Sequence, residues 1–178
     1  MNTARVGPRQ LRRVVFPEDQ IRARVDVLGH EISVAYGPED DLLVLGLLKG
    51  SFIFVADLVR RIECPLQVDF LVASSYGSGQ VSSGEVRLLY DTTMDLADRA
   101  VLLVEDIVDS GTTLRRLIPL LEQRGPRSIE LCALLLKPHA RLEREPRWVG
   151  FEAPDEFLVG YGLDMAEDLR HLPFIASL

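Results

Sequence analysis

Cysteine is nearly missing from this 178-residue chain: Cys64 and Cys132 are the only two, without CxxC spacing or a dense pattern. That excludes a disulfide scaffold and makes a reducing cytoplasm the expected compartment. No apolar run approaches the roughly 20 residues of a membrane span, and the opening MNTARVGPRQ lacks the apolar core of a secretion signal. No membrane partner is expected. Positive charge is also in short supply, with 20 Lys and Arg against 27 Asp and Glu and a net charge of −7. This speaks against a general nucleic-acid face, which rests on many Lys/Arg contacts to phosphates. A phosphorylated small molecule is compatible with that balance, because local donors and a bound cation outweigh the global sign. The chain has no internal repeat, low-complexity tract or interdomain linker. The absence of GxGxxG after a first strand weakens a dinucleotide-enzyme reading.

What is present is apolar material: 47% hydrophobic against 26% charged residues, enough for one substantial core in a single domain, 1–178. The chain is organised around residues 101–114, VLLVEDIVDSGTTL. An uninterrupted Val/Leu run suits a strand buried on both faces of a parallel sheet, and the carboxyl edge of such strands is where open α/β sheets bind ligands. Glu105 and Asp106 follow as a loop, then Asp109, then Ser110-Gly111-Thr112-Thr113 at a helix start. Free N–H groups, hydroxyls and the helix dipole favour a phosphate there. Taken alone, the acids fit a solvated loop equally well, and Asp109 fits a helix cap.

The remaining elements read in order. A loose N-terminal arm ends in a short strand near 11–15. Ile21, Val25, Leu28 and Ile32 recur at helical spacing over 18–35. A second buried strand, 42–48, runs into Lys49-Gly50-Ser51 and a helix; on its own this corner is more often a plain turn than an anion site. Strands follow at 67–75 and 85–90, separated by a Gly/Ser-rich stretch that reads either as a hairpin loop or as a lid. A polar connection covers 91–99, a helix follows the central motif up to Gly125-Pro126, and 128–136 is another buried strand ending at Lys137. Short strands are expected at 149–151 and 157–159, and a short amphipathic helix with a mixed tail at 166–178. Strands separated by helices imply right-handed βαβ crossovers, which gather the carboxyl ends of the 42, 101 and 128 strands on one edge. Lys49, the 105–113 stretch and Lys137 should therefore converge.

VLLVEDIVDSGTTL resembles the phosphoribosyl pyrophosphate motif of the type I phosphoribosyltransferases, and specifically that of the hypoxanthine (guanine) phosphoribosyltransferases of purine salvage. The resemblance extends, in order, to LGLLKGSFIFVADLVRRI, PLQVDFLVASSYGSG, SSGEVRLLYD, RGPRSIELCALLLKP and VGFEAPDEFLVGYGLDMAEDLRHLPFI. It implies an α/β fold with a central, mainly parallel twisted sheet flanked by helices, a small hood built from the N-terminal arm and residues 150–178, and a mobile lid beginning at Ser75-Tyr76. It also implies roles. Glu105 and Asp106 bind the ribose hydroxyls, directly or through Mg²⁺, and Asp109 faces N7 of the purine as general acid/base. Ser110, Gly111, Thr112 and Thr113 wrap the 5′-phosphate. Leu48, Lys49 and Gly50 form the pyrophosphate loop, with a Leu48–Lys49 peptide that is often cis, and Arg170 stands near the pyrophosphate. Lys137 donates to the 6-oxo group, Phe157 stacks on the base, Leu158 reads the purine edge through its backbone, and Asp164 is a Mg²⁺ ligand.

The expected reaction is transfer of the phosphoribosyl group from phosphoribosyl pyrophosphate to a 6-oxopurine, in a homodimer or homotetramer. Without the resemblance, Lys137, Phe157 and Asp164 read as an ordinary strand end, a core aromatic and a turn residue. His30, His139 and His171 match no role and read as surface or helix residues. The rival reading is a regulator of the same fold that binds phosphoribosyl pyrophosphate and nucleic acid; Asp109, Lys137, Phe157 and the net acidity argue against it.

Overall fold

The computed structural model describes residues 10–75 and 86–178. The three Val/Leu runs form the middle of a six-stranded sheet because each is apolar on both faces. These are β2 (Leu42–Leu48), β5 (Ala100–Val108) and β6 (Ser128–Leu136). β3 (Leu66–Ser75), β4 (Val86–Tyr90) and β7 (Trp148–Glu152) complete the order β4-β3-β2-β5-β6-β7, in which only β4 runs antiparallel.

Alternation along the strands divides the core in two. Leu42, Val44, Leu102 and Val104 face α1 (Glu18–Ala35) and α2 (Phe52–Val59), whose Ile21, Val25, Leu28, Ile32, Phe54 and Leu58 are all buried. Leu43, Leu45, Val101 and Leu103 face α3 (Thr112–Glu122), through Leu114, Leu117 and Leu121. Truncating one of these fully buried leucines to alanine costs about 2–5 kcal/mol, so the layers fix the strand ends firmly. Helices on opposite faces follow from the βαβ connections, and the carboxyl ends of β2, β5 and β6 share one edge. There the Lys137 N–H donates to the Val108 carbonyl at 3.0 Å.

A second sheet, in the order β1-β9-β8, joins the N-terminal strand β1 (Arg13–Phe16) to β8 (Leu158–Val159) and β9 (Ile175–Ser177), all antiparallel. It is tied to the main body where the Tyr161 hydroxyl donates to Asp57 on α2 at 2.7 Å. The helix expected over 166–178 does not form. Ala166, Glu167 and Leu169 have φ of 52°, 66° and 72°, which a right-handed helix cannot contain. The chain turns back instead, so that the Tyr161 and Gly162 N–H groups donate to Leu172 and Arg170 carbonyls, and Ile175 and Ala176 become buried strand residues. Residues 76–84 of the expected lid, Tyr76 with them, lie outside the described residues; Ser75 closes β3. Among the described residues no helix is long and apolar enough to cross a membrane.

Candidate active site

β5 does not stop at the acids. Glu105 and Asp106 lie within the strand, Glu105 pairs in register with Ala133 of β6, and the loop begins only at Asp109. This corrects the expected loop. A polar residue at the carboxyl end of a strand can still satisfy its backbone through the ladder while its side chain turns to the edge. The Glu105 Oε2 atom is buried with no hydrogen-bond partner among the described residues. Burial raises the Glu105 carboxyl well above its usual range, and the neighbouring Asp106 charge adds to this. Burial also raises Asp106 to about 6; backbone N–H groups and Arg170 pull the other way, while Asp164 pushes it further up.

Past Asp109 the chain turns at Gly111, the α3 N-cap, with φ 76° and ψ 2°. A Cβ at this position would lie 2.5 Å from the Arg141 carbonyl oxygen, so glycine serves both the left-handed turn and the close approach. The Ser110 and Thr112 hydroxyls are 3.0 Å apart, and with Gly111 and Thr113 they line a cradle of about 90 Å³ at the helix start.

The β2 corner meets this one from the side. The Leu48–Lys49 peptide is cis. A Cβ on Gly50 would fall 1.7 Å from Asp106 Oδ2, and a Cβ on Gly162 (φ 101°) would fall 2.0 Å from the Gly50 carbonyl oxygen. Gly50 thus meets the Asp106 carboxylate on one side and the Gly162 backbone on the other. The Lys49 ammonium is 3.0 Å from Glu167 Oε1. Arg170 donates to the Gly162 carbonyl at 2.8 Å and pairs with Asp164 Oδ1 at 2.8 Å and Glu167 Oε2 at 3.0 Å. Glu167 therefore bridges the two cations expected at the pyrophosphate. Nothing in the sequence pattern signals this contact, because it depends on the left-handed turn at 166–169.

A larger cavity, about 540 Å³, opens between the ends of β5 and β6 and the second sheet, lined by Asp109, Lys137, Phe157, Leu158 and Asp164 among others. Lys137 is buried to 7% exposure, and its ammonium donates to the Pro154 and Glu156 carbonyls at 2.7 and 2.5 Å. That leaves one of its three N–H donors for a ligand. Phe157 is 59% exposed, whereas Leu158 is buried in β8. His139, which the sequence pattern left without a role, also lines this cavity, with Nε2 2.8 Å from Asp109 Oδ1 and Nδ1 3.4 Å from Asp155 Oδ1. Its place two residues beyond Lys137 was the available signal.

The expected metal set is not gathered into a cage. Among the described residues no group of three or more His, Cys, Asp and Glu could hold a metal ion, so Glu105, Asp106 and Asp164 do not form one. Mg²⁺ usually binds through one or two carboxylates together with substrate oxygens. The unpartnered Glu105 oxygen and the half-buried Asp106 fit that mode of binding.

A mainly parallel sheet carrying an acid pair, a hydroxyl cradle and a lysine-bearing pocket on one edge is the arrangement of a phosphoribosyl-transferring enzyme. Residues 19–166 match the family model described as a phosphoribosyl transferase domain, and the chain belongs to that family. Within it, the chain is 45% identical over 167 residues to the hypoxanthine phosphoribosyltransferase of Salmonella typhimurium, covering 93% of this chain and 94% of the relative. Its fold matches the crystal structure of a hypoxanthine phosphoribosyltransferase from Staphylococcus aureus with a TM-score of 0.89, at 40% identity over 94% of this chain and 91% of the other. A hypoxanthine-guanine phosphoribosyltransferase from Bacillus anthracis gives 0.88 at 39% identity, covering 95% and 99%.

Proposed function

We propose that the chain transfers the 5-phosphoribosyl group of phosphoribosyl pyrophosphate to hypoxanthine or guanine, releasing IMP or GMP and pyrophosphate. The observation that carries this is the pocket around Lys137. Its buried ammonium, held by two carbonyls, offers a donor that suits a 6-oxo oxygen and disfavours an amino group, next to the exposed Phe157 ring and the Asp109 carboxylate.

The chemistry follows from charge. Breaking the bond from ribose C1 to pyrophosphate places positive charge on the sugar and negative charge on the leaving group. Lys49 and Arg170 would neutralise the leaving pyrophosphate, Ser110 to Thr113 would hold the 5′-phosphate, and Glu105 and Asp106 would orient the ribose hydroxyls. When bound, Mg²⁺ would supply further positive charge beside Glu105 and Asp106. As the purine nitrogen attacks C1, the ring proton on the far nitrogen passes to Asp109.

The test is a steady-state assay of purified protein with Mg²⁺, phosphoribosyl pyrophosphate and each of hypoxanthine, guanine and xanthine. Nucleotide from at least one base is expected, and its absence from all three would sink the reading. Asp109→Ala should lower kcat about 10²–10⁴-fold while KM for phosphoribosyl pyrophosphate changes little; equal losses in both would remove Asp109 from the base role.

A further inference from the structure

We propose that His139 is the positioning residue for Asp109: its Nε2–H fixes one carboxylate oxygen and leaves the other to receive the purine proton. The inference rests on the transferase reading above and adds a residue to its machinery.

A general base must be ionised to act, and an ionised carboxylate can only accept hydrogen bonds. The contact of 2.8 Å between His139 Nε2 and Asp109 Oδ1 therefore needs the proton on Nε2, since two lone pairs would not approach so closely. With Oδ1 held in this way, Oδ2 is the oxygen left for the ring proton. The imidazole is bracketed on its other side by Asp155, whose Oδ1 is 3.4 Å from Nδ1.

The contact is built into the fold rather than left to two loose side chains. The turn that carries His139 is bound to the loop that carries Asp109 through the backbone at both ends. Lys137 N–H donates to the Val108 carbonyl at 3.0 Å and Arg141 N–H to the Ser110 carbonyl at 3.2 Å, while Ala140 N–H closes the turn on the Lys137 carbonyl at 3.1 Å. His139 and Asp109 thus move as one unit. Side-chain exposures of 45% and 66% mean that neighbouring atoms alone do not immobilise the Asp109 carboxylate. A hydrogen bond can, and loss of alignment at a reacting group is costly: a misplacement of 1 Å can lower a rate about 10²-fold.

The experiment compares His139→Ala, His139→Gln and a control, His30→Gln, on the exposed face of α1. Glutamine retains an N–H donor at a similar reach; alanine does not. His139→Ala should lower kcat about 10- to 100-fold, as misalignment of a reacting group does, while KM for base and for phosphoribosyl pyrophosphate stays within about 3-fold. His139→Gln should recover most of the loss, and His30→Gln should match the parent. A second readout does not use activity: ¹⁵N spectra should show His139 with a protonated, hydrogen-bonded Nε2, and Asp109→Asn should shift that signal and leave His30 unchanged. The inference is overturned if His139→Ala keeps the parental kcat, or if alanine and glutamine lose activity equally along with a matching fall in melting temperature. A parent protein that makes no nucleotide from any 6-oxopurine would instead break the transferase reading, and the nitrogen spectra would still decide whether His139 holds Asp109.

Discussion

Two strand-to-helix corners meet at the site, and each carries a serine just before or within its turn, yet they are built in opposite senses. At the β5–α3 corner the Ser110 and Thr112 hydroxyls face each other across an open cradle, and the left-handed turn falls to Gly111. At the β2–α2 corner Ser51 is fully buried and its hydroxyl donates back to the Leu47 carbonyl at 2.7 Å. The first corner leaves its side-chain hydroxyls facing the cavity. The second turns its hydroxyl inward and presents backbone and the Lys49 ammonium. Similar Gly/Ser spelling at equivalent places in a fold thus does not predict which atoms face the ligand; that depends on whether the hydroxyl already has a partner.

The contrast breaks down most severely at its glycines. Gly50→Ala puts a methyl group where Asp106 Oδ2 now sits, so one of the two must move. Transferase kcat/KM should fall at least about 100-fold, as displacement of reacting groups by 1 Å predicts, and a variant with parental kinetics would refute the contact. The serines test the comparison itself. Ser110→Ala should raise KM for phosphoribosyl pyrophosphate about 10-fold, the loss of one or two hydrogen bonds to a charged group, with an unchanged melting temperature. Ser51→Ala should do the reverse, lowering stability by about 1–2 kcal/mol in urea titrations with KM nearly unchanged; the same pattern in both variants would erase the distinction.

The acids of the first corner should be detectable through stability. Asp106 titrates at about 6 in the folded chain, above the roughly 3.9 expected when unfolded, so the folded state binds more protons between those values. Its favourable contribution is present below about pH 4 and is lost as pH rises through 6. Asp106→Asn should therefore stabilise the metal-free protein at pH 7.5 by about 1 kcal/mol or more and leave it unchanged at pH 4, measured by denaturant melts. The smallest effect concerns the second corner. Glu167→Gln releases Lys49 and removes one of the two carboxylates paired with Arg170, and should lower KM for phosphoribosyl pyrophosphate about 2–3-fold at low salt; because the Lys49 pair is exposed, high salt should remove the difference.

Much of the fold was legible because apolar periodicity and burial are the same fact seen twice. Helix α1 occupies the expected 18–35, and the three Val/Leu runs are the three central strands. The 166–178 segment was misread because Leu169, Leu172 and Ile175 fall three apart, as they would on a helix. Their burial is achieved by left-handed turns, which long-range closure against β1 and Gly50 imposes and local spacing cannot reveal. At the site, the convergence of Lys49, the acid strand and Lys137 followed from crossover handedness alone. The start of the loop was misplaced because charged side chains do not end a strand whose backbone still pairs with β6. His139 and Glu167 escaped for a shared reason: each acquires its partner from a turn whose shape is set by packing elsewhere.

The contact of Gly162 with the Gly50 carbonyl has a consequence for how such a site can diverge. Side-chain interfaces can adjust by changing rotamer or residue, but backbone against backbone has no such freedom and works as a fixed spacer. The distance between the Lys137 pocket and the Lys49 corner is therefore set once for the scaffold. A change in what the pocket accepts would have to arise by resurfacing its walls, at positions such as 157 or 163, while the frame between the two corners stays the same length.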